Sequence, residues 1–170
     1  ERLVVPILHL YSLSDDQPSL PEPDITKLRH LKRAVESLSA NMMNTTKADV
    51  FIFSFDRLIK QGVASWLNKT NVYILPINDV AISIPHHMLR PREMMSEGKD
   101  EHRMAGDWRL TFQPAFAKEM GYQYVLQFDS DTYLQSPVRI DLVQYMQANK
   151  LWMAAYDDFF TEKPQYYVGL

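Results

Sequence analysis

The chain has 170 residues, with 18 Lys and Arg against 21 Asp and Glu for a formal charge of −3, and it is 46% hydrophobic, 23% charged and 12% aromatic. That length predicts one domain with ample material for a core, and the composition excludes a disordered tail. The weakly acidic balance argues against nucleic acid as a partner, no apolar run reaches the about 20 residues that span a bilayer, and the lack of cysteine removes disulfides, zinc-thiolate sites and thiol nucleophiles from this chain.

Residues 3–10 (LVVPILHL) form a short, nearly continuous apolar run, the pattern of a buried strand. A loop with Pro18, Pro21 and Pro23 follows. Leu28, Leu31, Val35, Leu38 and Met42, spaced 3, 4, 3 and 4, then predict an amphipathic helix with Asp24 or Thr26 as its N-cap. Lys27, Arg29, Lys32 and Arg33 read as its solvated face. Residues 50–55 (VFIFSF) predict the second strand, Asp56 opens a helix through Ile59, Val63 and Leu67, and residues 72–75 give a third strand. Residues 84–104 are polar and mixed and are expected to be irregular or partly helical.

Trp108, Phe112, Phe116 and Met120 recur every four residues and predict a packed helix. Pro114 must kink that helix or start it afresh, because a proline in a helix interior costs about 3 kcal/mol. Gly121 is placed to end it. Residues 124–128 (YVLQF) predict the fourth strand, a helix runs from about 141 to 149, and residues 152–155 predict a last strand. The sequence begins at Glu1 and closes on an apolar Tyr-Val-Gly-Leu, so it is expected to be part of a longer protein. Strands alternating with helices predict an α/β sandwich around a largely parallel sheet, whose ligands bind at the carboxyl ends of strands.

The stretch with most chemistry in it is 124–137 (YVLQFDSDTYLQSP), where Asp129 and Asp131 emerge as an apolar strand leaves the core. Carboxylates at such a point call for a cation or several donors, and Mn²⁺ or Mg²⁺ takes oxygen ligands. Residues i and i+2 of a strand lie roughly 6.6 Å apart, too far for two short side chains to share one ion easily. The economical division gives the metal to Asp131, while Asp129 holds a sugar hydroxyl or a metal-bound water. The plain structural alternative is that both acids cap the amides of the turn that follows.

Residues 104–160 resemble nucleotide-sugar glycosyltransferases of the GT-A fold, and more narrowly are similar to the fungal-type α-1,2-mannosyltransferases of glycosyltransferase family fifteen. The likeness is carried by WRLTFQPAF with Arg109, by Gly-Tyr-x-Tyr, by the apolar strand entering the acidic triplet, by Ser-Pro-Val, and by a helix with Met146 and Asn149 leading into LWMAAYDDFF. The chain departs from the family where Asp129-Ser130-Asp131 replaces Glu-Pro-Asp. The resemblance implies that residues 1–170 are the donor-binding portion of a GT-A domain, incomplete at its carboxyl end. It also implies a Mn²⁺-dependent mannosyltransferase taking GDP-mannose and a glycan or glycoprotein acceptor in the Golgi lumen, anchored as a type II membrane protein by a segment outside this chain. A remaining histidine ligand and the catalytic carboxylate would lie beyond Leu170.

Arg109 would then pair with the diphosphate or order Asp129, Tyr11 and Ser12 would lie where base and ribose bind, and Asp56 would touch the nucleoside. Each has a bland reading: a surface ion pair, residues that merely follow a strand, and a helix N-cap. His86, His87 and His102 read as loop histidines rather than metal ligands. Asp157 and Asp158 could line an acceptor site or form an exposed acidic turn. Asn44-Thr45-Thr46 and Asn68-Lys69-Thr70 match the N-glycosylation sequon and suit a luminal compartment. Two rivals remain at the level of sequence. One is a haloacid-dehalogenase-type phosphatase, although Thr132 and Tyr133 do not match its motif; the other is a non-catalytic sugar- or metal-binding relative.

Overall fold

The computed structural model describes residues 2–9, 22–54, 70–76 and 108–151. These hold strand β1 (Leu3–Leu8), helix α1 (Glu22–Asn41), β2 (Ala48–Ser54), β3 (Val72–Pro76), a π-helical turn (Trp108–Phe112), α2 (Gln113–Glu119), β4 (Tyr124–Val125) and α3 (Leu142–Ala148). The four strands form one sheet in the order β3-β2-β1-β4, and every pairing is parallel. The α/β class with a parallel sheet is therefore as expected, and the order is compatible with a Rossmann-like fold.

The sheet is covered on both faces, which is why β1 and the middle of β2 (Val50 to Phe53) are continuously apolar instead of alternating. Val5 and Ile7 of β1, with Val50 and Ile52 of β2, pack against Leu31, Val35 and Leu38 of α1. The opposite face carries Val4, Phe51 and Phe53, which pack against Trp108, Phe112 and Ala117. The apolar stripe expected of α1 is buried at all five positions, Leu28, Leu31, Val35, Leu38 and Met42. Its start was misplaced, however. The helix begins at Glu22, so Asp24 lies in its first turn and Thr26 within it, and neither is the N-cap. Pro23 is compatible with this because a first-turn N–H has no intrahelical partner to lose.

Pro114 starts a helix afresh, as one of the two expected outcomes had it. The π-helical turn runs up to Phe112, and Pro114 sits in the first turn of α2. A repeat of four overshoots the 3.6-residue α-turn by about 40° per step, and the wider π-turn absorbs part of that drift. Trp108 accordingly stacks on Phe112 at 5.5 Å, and Phe112 on Phe116 at 5.7 Å. Met120 falls off this stripe, 53% exposed at the helix end, which corrects its expected place in the packing. Gly121, at φ +76°, closes α2 with the two bonds of a Schellman motif, Tyr122 N–H to the Ala117 carbonyl and its own N–H to Lys118.

The fourth strand is shorter than expected. Only Tyr124 and Val125 pair with β1, and the ladder ends where the Leu126 N–H donates to the Val4 carbonyl at 2.9 Å. The next residue of β1 whose backbone faces β4 is Pro6. It has no N–H to give, so the ladder cannot continue on equal terms. The Pro6 carbonyl instead accepts from the buried Gln113 amide at 3.3 Å, and Phe128 turns into the α1-side core.

The expected elements at 56–67 and 152–155, and the irregular segment at 84–104, lie outside the described residues. Among the described residues no helix is long and apolar enough to cross a membrane.

Candidate functional site at the β1/β4 crevice

From β1 the order steps outward through β2 to β3, and β4 lies on the other side of β1. Strand order therefore reverses between β1 and β4, the place in a parallel α/β sheet where ligands bind outside the carboxyl ends. Because β4 stops after two residues, the chain from 126 onward diverges from β1 at that point.

Asp129 and Asp131 lie in this diverging segment. They do not have strand spacing. The Thr132 N–H donates to the Asp129 carbonyl at 3.1 Å, closing a reverse turn with Ser130 and Asp131 at its corners. The strand distance assumed from sequence consequently does not apply to the pair. Asp129 is not an amide cap either: its carboxylate accepts from Nη2 of Arg109 in an ion pair. Asp131 is exposed and has no hydrogen bond or ion pair with the described residues. The structure thus brings together Arg109 and Asp129 and leaves Asp131 beside them on the turn.

Arg109 is positioned by the π-helical turn, whose Trp108 and Phe112 are packed edge-on against Phe53 at 5.4 and 5.1 Å. Local π-helix is frequent at functional positions. On the other flank, the segment after the acidic turn is strapped to α1 and its exit. Ser37 Oγ accepts from the Leu134 N–H at 3.0 Å, and Asn41 Nδ2 donates to the Leu134 carbonyl at 2.8 Å. The Val138 N–H donates to the Asn41 carbonyl, and Thr45 Oγ1 to the Val138 carbonyl. Thr46 Oγ1 then accepts from the Leu142 N–H at 3.0 Å, while Asp141 caps Val143 and Gln144. These bonds tie the chain that leaves the acidic turn to α1 and its exit.

Sequence reasoning missed three buried polar groups near the same crevice. His9 is 1% exposed at the carboxyl end of β1, where its N–H extends the ladder to the Phe53 carbonyl. Burial, with the charge of Lys27 adding to it, lowers its pKa to about 4, so the imidazole is neutral at pH 7. Ser54 ends β2 as a fully buried residue, and its Oγ has no partner among the described residues; the same holds for Oε1 of Gln113. A polar residue closing each apolar run (LVVPILH, VFIFS) was the available signal. Asp49, also buried, sits at the opposite end of the sheet, tied to Arg2 and to the Tyr122 hydroxyl, and is structural.

Tyr11, Ser12 and Asp56 lie outside the described residues, as do His86, His87, His102, Asn68, Asp157 and Asp158. Asn44 is exposed as expected, whereas the Thr46 hydroxyl of its sequon is buried in the strap. Arg33 is exposed, as the reading of a solvated face expects, and its guanidinium lies 3.6 Å from the centroid of the Tyr133 ring.

The donor chemistry suits a hard divalent ion only in part. Two carboxylates on one turn offer oxygen ligands, and among the described residues no third His, Asp or Glu joins them. That set fits an ion of the Mg²⁺ or Mn²⁺ kind, which is commonly held by one or two carboxylates together with substrate phosphates and water. Comparison of the chain with protein-family models, with curated proteins and with solved structures finds no match to any of the three.

Proposed function

We propose that the chain is the donor-binding portion of a metal-dependent glycosyltransferase with a GT-A-type sheet, transferring a hexose from a nucleotide-sugar to a glycan or glycoprotein acceptor. The observation that carries this reading is the acidic turn Asp129-Ser130-Asp131, set at the carboxyl side of β4 where strand order reverses and tied on one side to Arg109. Mannose and guanosine diphosphate, and a luminal Golgi location, follow from the resemblance of residues 104–160.

In this reading Asp131, free of protein partners among the described residues, takes the Mn²⁺ (or Mg²⁺) ion. Asp129 is held in place by Arg109 and accepts a ribose hydroxyl or a metal-bound water, and Arg109 offers its remaining N–H groups to the diphosphate. Tyr11 and Ser12, with base and ribose, and Asp56, with the nucleoside, enter this reading through the resemblance alone and lie outside the described residues. When bound, the metal neutralises the diphosphate and stabilises it as a leaving group. The protein's part is to present one unpaired carboxylate on a turn fixed at both flanks, so little reorganisation is needed on binding.

Titration of GDP with and without Mn²⁺, on the chain and on Asp131→Ala, tests the proposal. Metal-dependent binding is expected in the parent. In the variant it should fall beyond the about 10–100-fold typical for loss of an outer-shell partner, with an unchanged circular dichroism spectrum because Asp131 is exposed. Equal GDP affinity in parent and variant, or turnover of a phosphomonoester by the parent, would overturn the assignment.

A further inference from the structure

The two groups that define the sequon Asn44-Thr45-Thr46 have opposite fates in the folded chain. α1 ends at Asn41, and the Thr45 and Thr46 N–H groups both donate to the Met42 carbonyl, which folds residues 42–46 into a turn ahead of β2. Asn44 lies exposed on that turn, with Ala40 and Thr45 exposed beside it. Among the described residues its Nδ2 makes one bond, to the Ala40 carbonyl at 3.4 Å on the surface. A bulky group on Nδ2 therefore displaces nothing buried, and a glycosylated amide keeps the one N–H that this bond uses.

Thr46 is the reverse case. It is 0% exposed, and its Oγ1 donates to the Ile140 carbonyl and accepts from the Leu142 N–H at 3.0 Å. Enzymes that glycosylate asparagine in this motif require the hydroxyl as well as the amide, so the folded chain withholds half of what they recognise. Both partners of the hydroxyl come late, 94 and 96 residues further along the chain. At about 5–20 residues per second of synthesis, the sequon waits on the order of 5–20 s for the segment that covers it.

We propose that Asn44 is an N-glycan acceptor, modified on the growing chain and closed to modification once the strap forms. The donor is an oligosaccharide linked through pyrophosphate to a lipid. The Asn44 amide nitrogen bonds to C1 of the sugar, and the C1–O bond breaks with its electron pair leaving on the lipid pyrophosphate. The amide proton that is released passes to a base of the transferring enzyme. The modified chain closes the strap as before, since neither threonine is altered. Delivery to that donor rests on the luminal location in the proposed function, whereas the order of modification and folding does not.

The test is cell-free translation of the chain behind a cleavable secretory signal in the presence of microsomes, read by glycosidase-sensitive peptide mapping. In two further arms the folded chain and a peptide of residues 40–50 are each given the solubilised transferring enzyme and its lipid-linked donor. A glycan on Asn44 is expected in the nascent chain and in the peptide. It should be lost in Asn44→Gln and Thr46→Val and retained in Thr46→Ser, which keeps the hydroxyl. The folded chain should be modified about tenfold or more slowly than the peptide, because only its opened fraction reacts. A nascent chain left unmodified at Asn44 would overturn the site, and equal rates for folded chain and peptide would overturn its closure. Since the added signal delivers the chain to the lumen, neither result bears on the protein's own location or on the donor site, which the Mn²⁺–GDP titration tests separately.

Discussion

His9 closes an apolar strand with a group that burial keeps neutral well below the pH at which a free imidazole takes up a proton. In the unfolded chain its pKa is near 6.5, and in the folded chain it is lowered to about 4 by burial first and by the Lys27 charge second. Above pH 6.5 both states are neutral and the group leaves stability unchanged. As the pH falls from 6.5 towards 4, the unfolded chain takes up a proton that the native chain refuses, so stability falls across that window, by on the order of 3 kcal/mol in all. Urea unfolding at pH 7 and pH 5 should therefore show a loss in the parent that is smaller by about 2 kcal/mol in His9→Leu. A parent–variant difference that is the same at both pH values would show that the imidazole titrates normally. Its position was visible in LVVPILHL, but its burial was not, because α1 and β2 create that burial from distant parts of the chain.

At the scale of elements, periodicity was a good guide wherever one element faces one partner. The stripe of α1, the restart at Pro114 and the end at Gly121 follow from local rules and are found in place. Where β4 and the strap escaped that guide, an element's extent was decided by a neighbour. Residues 124–128 look like a five-residue strand, yet Pro6 on β1, some 120 positions earlier, withholds the donor that would continue the pairing. The strap is hidden for the same reason, since Thr45 and Thr46 read only as part of a sequon. Thr46 supplies the acceptor for the first N–H of α3, which Asp141 does not reach. Thr46→Val removes that acceptor at a fully buried position and strands the Leu142 N–H, at a cost of about 1–3 kcal/mol. Urea unfolding should register this loss, and hydrogen exchange should speed up at Leu142. Unchanged protection there would mean that the strap does not depend on the hydroxyl.

Across the whole molecule, the strand order places the chemistry, and this was the least legible feature in the sequence. Alternating strands and helices imply a parallel sheet, but nothing local tells β4 to cross to the far side of β1 and so create the crevice. The acids were visible as a motif; their meeting with Arg109 depends on that crossing. Arg109 belongs to the layer packed on Phe53, whereas Asp129 follows Phe128, which is packed in the α1-side core, so their ion pair joins the two layers over the sheet's carboxyl edge. Two roles for the pair can be separated. As a surface tie, with side chains 40% and 49% exposed, it contributes at most about 1 kcal/mol to stability. As part of a donor site it supplies charge-assisted hydrogen bonds worth about 1.5–3 kcal/mol to the bound diphosphate, or roughly 10–150-fold in affinity. Arg109→Ala should therefore leave the urea midpoint almost unmoved and weaken Mn²⁺-dependent GDP binding by that factor. Arg109→Lys should recover only part of it, because an ammonium cannot pair with Asp129 and a phosphate oxygen in one planar fork. A variant that loses stability and keeps its GDP affinity would make the pair a structural clasp and not part of a diphosphate site.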